Sequence, residues 1–510
     1  MESKPLKTEV CFNKNIFCET LEQPIDLDFL LPDYCPDISK IFKCKAKPTI
    51  VSKGINGNSV TIEGNLCITL LYCDKENNLC SYEYSYPFSK IKEIGAEVDD
   101  CSLTCSVGCD YINCRAITGR KIDIHGAVSI KIKAFKRCFN QIVADFDNTE
   151  IQLKRAVAPA TVPMGYCEKL MILEEDIPLS NNQATVLRVL RYDAVPSITE
   201  HKVINDKIVA KGEMAVTVLY SVDGVKAPMV LKTTLPFSQI VEMSGVTELC
   251  KCDIKCEIAF LEVRPALSFN GECNAFSLNA KLLLKCESYC VNDIAIIEDA
   301  FSTRFETNVV KNTLSFKKIC ENFKENCQLK KSIELSENIA SVVDIWCEKG
   351  SKKVKLENGK VGLSGVLLIG MVVCDQNDNV VFYEKPVELE FEHKTECEGL
   401  NLSANTEIDI VNVGYTITSA NCLEVRIELC ITGTVYETND IPLITDIEID
   451  TNKPLFKNKK GGMLICFASK GEKVWNIARK YNANLQEIVS INNLAGDELE
   501  NKKTILIPLC

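Results

Sequence analysis

The sequence predicts a mainly β fold: three tandem β-rich, sandwich-like repeats followed by a small C-terminal βααβ domain. Three observations predict it. One strand pattern returns at domain-sized spacing, as Gly64-Asn-Leu-Cys-Ile-Thr-Leu-Leu-Tyr72, Gly212-Glu-Met-Ala-Val-Thr-Val-Leu-Tyr220 and Gly365-Val-Leu-Leu-Ile-Gly-Met-Val-Val373. A second segment follows in step, Pro87-Phe88-Ser89 after the first copy and Pro236-Phe237-Ser238 after the second, with Pro386-Val387 fitting loosely after the third. Beyond residue 463 the apolar period changes from two to that of a helix.

Within the first copy Val60, Ile62, Leu66, Ile68, Leu70 and Tyr72 share one parity, while Thr61, Glu63, Asn65 and Thr69 hold the other. Side chains of a strand alternate between faces, so each copy reads as a strand buried on one side. Copies starting at residues 64, 212 and 365 are far wider apart than the roughly 20–50 residues of a solenoid repeat. The glycine at the same step in each marks a bulge or a bend.

In chain order, residues 1–20 read as a short extension or edge strand. A first β domain spans 21–150, with two prolines (Pro32, Pro36) barring a helix near its start and a hairpin turning at Thr118-Gly-Arg120. A second spans 165–300, its opening read as two strands, 184–193 and 200–203. Residues 312–331, rich in Lys, Glu and Asn, read as a helix joining it to a third domain at 332–437, which closes on a hairpin at Ala420-Asn421. Residues 438–462 have linker composition.

The final domain, 463–510, opens on a short strand. Val474, Ile477, Ala478 and Tyr481 then fall at i, i+3, i+4 and i+7, one stripe of a helix. Leu485, Ile488 and Val489 form a second stripe, with Asn484 and Glu487 at capping-box spacing. Thr504-Ile-Leu-Ile507 closes it as a strand stopped by Pro508.

Composition excludes several functions. The 46% hydrophobic and 25% charged content is that of a globular chain, and a net charge of −12 opposes nucleic-acid binding. The N-terminus lacks the apolar core of a signal peptide, and the longest apolar stretch, 361–374, alternates and is too short for a membrane helix, so a soluble cytoplasmic chain is expected. There is no P-loop, G-x-S-x-G or H-E-x-x-H motif, so no catalytic residue is nominated. Nine of the 28 cysteines cluster at 101/105/109/114, 250/252/256 and 320/327, without paired C-x-x-C spacing and with only three histidines in the chain. No metal or cofactor is therefore expected. Small core residues and thiols available for later cross-linking are the alternatives left open.

Gly471-Glu-Lys-Val-Trp-Asn-Ile-Ala478, Tyr481, Leu485-Gln-Glu-Ile488, Asn492-Asn-Leu494 and Ile505-Leu-Ile-Pro508 resemble the LysM module throughout its length. That resemblance implies a βααβ fold with a glycan groove between loops 469–473 and 494–501. Two departures flank the groove: Glu472-Lys473 replaces the family's Asp-Thr or Asp-Ser, losing a helix-capping hydroxyl, and Glu500-Asn501 replaces Pro-Gly. The upstream repeats resemble the SPOCS domain of spore-coat-associated proteins, through Leu31-Pro32, Pro36-Asp37-Ile38, the Gly64 and Gly212 strands ending in Tyr72 and Tyr220, and the two Pro-Phe pairs. The resemblance implies a non-enzymatic scaffold of coat assembly, made in the mother-cell cytoplasm and seated at the forespore surface. Its implied partners are the coat's basement-layer ATPase and other coat proteins, with peptidoglycan as the alternative ligand. Partner- or glycan-binding residues are then expected at Ile465, Ser469, Gly471, Glu472, Lys473, Val474, Trp475, Leu494, Ala495 and Gly496. Trp475, just off the apolar stripe, is either a lid over the small core or an aromatic anchor for a partner.

Overall fold

Among the described residues, eighteen strands fall into three sets of six with one strand order. The computed structural model describes residues 4–508 apart from 95–100, 149, 180–184, 268–272, 378, 400 and 456–461. The first unit comprises β1 (Pro5–Leu30), β2 (Lys40–Asn56), β3 (Ser59–Cys73), β4 (Leu79–Glu93), β5 (Ser102–Ala116) and β6 (Lys121–Phe146). The second comprises β7 (Ile151–Pro178), β8 (Val186–Ile204), β9 (Lys207–Val222), β10 (Val225–Glu242), β11 (Lys251–Ala266) and β12 (Ala275–Ser302). The third comprises β13 (Phe305–Glu334), β14 (Ile339–Glu357), β15 (Lys360–Asp375), β16 (Val380–Lys394), β17 (Leu402–Ser419) and β18 (Cys422–Pro454). In each unit the middle three strands form an antiparallel meander. The first, last and fifth form a second sheet, so β1-β6-β5 faces β2-β3-β4.

The recurring strand is the centre of each meander. Ile62, Leu66, Ile68, Leu70 and Tyr72 of β3 pack on Ile122, Ile124, Ile130 and Ile132 of β6, all 1% exposed or less. Burying such side chains contributes about 1.5–3 kcal/mol each. The glycine and the Pro-Phe segment prove to be one device. Gly64 pairs with Phe88 across the ladder, and a Cβ on Gly64 would lie 2.1 Å from the Phe88 ring. Gly212 and Phe237 repeat this at 2.4 Å. In the third unit Leu389 stands opposite Gly365, whose Cβ would instead meet the Ser351 carbonyl. Ring over glycine fills the gap that glycine leaves in a strand.

Tyr72 and Tyr220 end their strands alike but differ in partners. The Tyr72 hydroxyl donates to the Pro36 carbonyl at 3.1 Å, while the buried Tyr220 hydroxyl has no partner among the described residues and its ring meets Phe276 edge-on. Tyr72→Phe is therefore expected to cost about 1 kcal/mol in denaturant unfolding and Tyr220→Phe to cost nothing or to stabilise. Equal losses would contradict that assignment. The loop between β1 and β2 is held by Arg120 of the predicted hairpin, whose guanidinium donates to the Leu31, Pro32 and Cys35 carbonyls and to Asp37.

The structure departs from the sequence expectations in the long strands. Residues 312–331 are not helical; they lie within β13, paired with β18 along its length. Their exposed face carries the Lys, Glu and Asn that read as helix, while Phe316 and Phe323 are buried. Residues 438–454 are not linker but the second half of β18, and the third unit begins at Phe305 rather than 332. Residues 5–20 belong to β1, the edge strand of the first unit, and 186–193 with 200–203 form one strand, β8, while residue 184 lies outside the described residues. A long strand whose far half leaves its own sandwich shows no local sign of its end.

Those far halves meet. Val10 and Ile142 of the first unit, Ala160 and Ile296 of the second, and Phe316 and Leu443 of the third share one apolar cluster. The meanders meet in another, where Leu71, Leu219 and Val372, the same position of the recurring strand, come together. Their cross-strand partners are Lys43, Arg191 and Asp344. Two of the three equivalent positions thus carry a positive charge and the third a negative one, and each finds an opposite charge on a neighbouring unit. Arg191 pairs with Asp344 and lies 4.0 Å over the Trp346 ring, Lys45 bridges Asp193 at 3.5 Å and Glu348 at 2.9 Å, and Lys43 pairs with Glu348 and Glu384. Burial opposes the Lys45 charge, but Asp193 and Glu348 outweigh it and hold its pKa above the ordinary lysine value.

Candidate functional site

The C-terminal module is β19 (Met463–Ala468), α1 (Val474–Tyr481), α2 (Leu485–Ile491) and β20 (Lys503–Pro508), with β19 and β20 antiparallel. Val474, Ile477 and Ala478 of α1 and Ile488 of α2 are buried, as their spacing predicts. Asn484 caps α2, its side chain accepting from the Gln486 and Glu487 N–H groups, whereas Lys473 at the head of α1 makes no side-chain cap. The Asn492 amide bonds the Ile488 carbonyl and both backbone groups of Leu506, tying α2 to β20.

The module is seated on the second unit. A bulge in β12 between Ile297 and Asp299 precedes two contact residues. The Trp475 ring meets Phe301 edge-on at 5.1 Å, and its Nε1–H donates to Asp299 Oδ2 at 2.9 Å, an oxygen that also takes Arg479. Gln152 Oε1 of β7 accepts from the Leu485 N–H, the first orphan donor of α2. Trp475 is 6% exposed and Val474 1%. Neither is therefore open to a partner on this surface, a correction to their place among the expected contact residues. Trp475 is an anchor, but for this chain's own second unit.

The other expected residues lie at the surface or its margin: Ile465, Ser469, Gly471, Lys473, Ala495 and Gly496 are exposed, and Glu472 and Leu494 half-buried. The structure brings 471–474 against 497–499. Gly471 N–H donates to Leu499 O at 2.8 Å, Leu499 N–H to Glu472 O at 3.1 Å, and Val474 N–H to Asp497 O at 2.9 Å, with a bridge between Lys473 and Glu498. Backbone groups between the two loops are thus largely engaged with one another.

The sequence reading took Ile465 but missed its neighbours. Met463, Ile465 and Phe467 share one face of β19 and are 57%, 58% and 84% exposed, with Leu506 and Pro508 beside them on β20. Their equal parity was the available signal. Cys101, Cys105 and Cys109 do share a face, but it is the inner one: all three pack in or against the first core. A bulge between Cys109 and Tyr111 brings Cys114 onto the same side, against Cys44.

A second polar constellation lies in the third unit. His393 stacks on Phe323 at 3.8 Å with its ring nitrogens 2.9 Å from Glu321 and 2.5 Å from Glu325. Burial works against its charge, but hydrogen bonds to Glu325 and Glu321 prevail and raise its pKa. A raised folded-state value means stability complete below the unfolded pKa of about 6.5 and lost as pH rises through the folded one. Melting temperature is expected to fall on the alkaline side of that window, and His393→Gln to flatten the profile there. An unchanged slope in the variant would assign it elsewhere.

These features define a class: a tandem β-sandwich protein that carries a docked βααβ module. Comparison with known families makes it specific. The family model "SipL, SPOCS domain" matches residues 37–117 and again 185–265, and the LysM domain model matches 469–508. No curated protein and no solved structure matches the chain. The chain therefore carries two SPOCS domains and a C-terminal LysM domain, both non-catalytic domain families. Each SPOCS match takes in the meander and the fifth strand of its unit. The third unit shares their strand order but has Val373 where the others have tyrosine and Leu389 where the others set phenylalanine opposite the glycine.

Proposed function

We propose that this protein is a non-enzymatic scaffold of spore coat assembly, the third unit being a diverged SPOCS copy. It acts in the mother-cell cytoplasm at the forespore surface and docks the coat's basement-layer ATPase, with other coat proteins, through its LysM domain. The observation that supports protein contact most is the apolar face of Met463, Ile465 and Phe467, which suits a protein surface better than a sugar. The engaged backbone between the two groove loops favours the same reading. Peptidoglycan binding is the second reading, favoured by the LysM match itself.

The two separate in one experiment on the full chain. Ile465→Glu with Phe467→Glu is expected to weaken capture of the purified ATPase at least tenfold, about 1.4 kcal/mol or more, without changing the melting temperature. Retention on insoluble peptidoglycan together with no ATPase capture by the unsubstituted chain would overturn the scaffold reading in favour of the glycan one.

A further inference from the structure

Cys250 and Cys290 stand across from each other one step beyond the Lys251–Tyr289 pair of β11 and β12. Their sulfurs are 2.6 Å apart, inside the contact distance of two unbonded sulfurs, in a cluster with Val241, Met243 and Val246. Adjacent cross-strand positions bring Cβ atoms into the range a disulfide spans. The two thiols differ in surroundings. Cys250 Sγ receives the Thr247 N–H at 3.5 Å and lies 3.6 Å from the Thr247 hydroxyl, and among the described residues no comparable donor serves Cys290. The neighbouring Leu249 is 90% exposed, so the pair lies just beneath the surface.

We propose that Cys250 and Cys290 are an oxidant-reactive pair, Cys250 the attacking thiolate and Cys290 the resolving thiol, closed by a peroxide. The Cys250 thiolate attacks one oxygen of hydrogen peroxide, the O–O bond breaks, and hydroxide leaves behind a sulfenic acid. The Cys290 sulfur then attacks the sulfenic sulfur, the S–O bond breaks, and the hydroxyl departs as water with the Cys290 proton. Two thiols and one peroxide yield one disulfide and two waters, two electrons passing from sulfur to oxygen.

The acid–base balance of the pair supports that division of roles. Burial opposes a Cys250 thiolate, but hydrogen bonds from Cys290 and Thr247 outweigh it and bring its pKa below the ordinary thiol value. Burial and the contact with Cys250 push Cys290 up to about 12. Cys167 and Cys286 also face each other, on β7 and β12, yet the hydrogen bond to Cys286 and burial push Cys167 upward, leaving that pair without an evident nucleophile at neutral pH.

The test treats the full chain with limiting hydrogen peroxide, blocks remaining thiols under denaturing conditions, and maps tryptic peptides without reduction. The expected first product links peptide 233–251, which holds Cys250 alone, to peptide 286–304, with fragmentation placing the bond at Cys290 rather than Cys286. In Cys290→Ser and in Cys290→Ala, dimedone is expected to label Cys250. In Cys250→Ser, labelling of Cys290 is expected to fall at least tenfold below that. A first disulfide at any other pair, no disulfide at all, or equal dimedone labelling of Cys290 would each overturn the proposal.

Discussion

Asp344→Ala is expected to destabilise the assembled units by about 3–5 kcal/mol, the cost of breaking one side of a buried ion pair. The Asp344 side chain is 1% exposed and the Arg191 side chain 12%, so the substitution leaves a buried guanidinium between units with the Trp346 ring and, at 3.9 Å, the Asp193 carboxylate it shares with Lys45. Burial already pushes the Asp344 carboxyl up, against the pull of Arg191, which marks a site where desolvation outweighs attraction. The pair therefore contributes less net stability than its rupture removes. Arg191→Met with Asp344→Leu is expected to recover most of the loss, to within about 1 kcal/mol of the native chain. Urea unfolding midpoints of the three chains test both statements. A single variant as stable as the native chain would show that the pair does not hold the junction.

The charges there have a second consequence. A symmetric junction of identical units would set three like charges against one another. Here Lys43, Arg191 and Asp344 occupy the one equivalent position, and each unit meets a neighbour of suitable sign. The network fixes which unit sits beside which, the specificity role best supported for buried polar groups.

Trp475→Ala is expected to cost the seating of the LysM domain about 3–5 kcal/mol, the range for removing a buried large aromatic. The change deletes the Phe301 contact and the indole hydrogen bond, leaving Asp299 with Arg479 and, at 3.9 Å, Lys311. In hydrogen exchange, residues 463–508 should lose protection while β3, β9 and β15 keep theirs. Arg479→Met removes one charge at the same carboxylate and should lower protection less. Unchanged exchange in the tryptophan variant would mean that the domain is held elsewhere.

Much of the architecture was legible in the sequence because it rests on local pattern. Alternation at Val60–Tyr72 and its echoes located the central strands, and the i, i+3, i+4, i+7 stripe at Val474 located α1. The hairpins at Arg120 and Asn421 were readable from their turns. What failed was read from composition: 312–331 as helix and 438–462 as linker, both strand in whole or in part. Lys, Glu and Asn there cover the solvent face of an edge pairing, and composition does not reveal a partner more than a hundred residues away.

The candidate site divides the same way. Ile465 was legible as part of a strand, and its exposure required only that Leu464, Cys466 and Ala468 point inward. Trp475 was not, because its environment is set by Asp299 and Phe301, far away in sequence and aimed by a bulge that no local rule foretells. By itself the sequence determined the repeat, the strands that form each core and the βααβ end, since hydrophobic period and turn chemistry are properties of neighbouring residues. Only the tertiary structure decided how far each strand runs, which charges meet between units, and that the one conspicuous tryptophan faces inward. Those depend on surfaces from distant segments matching in shape and charge, and no window of the chain contains both sides.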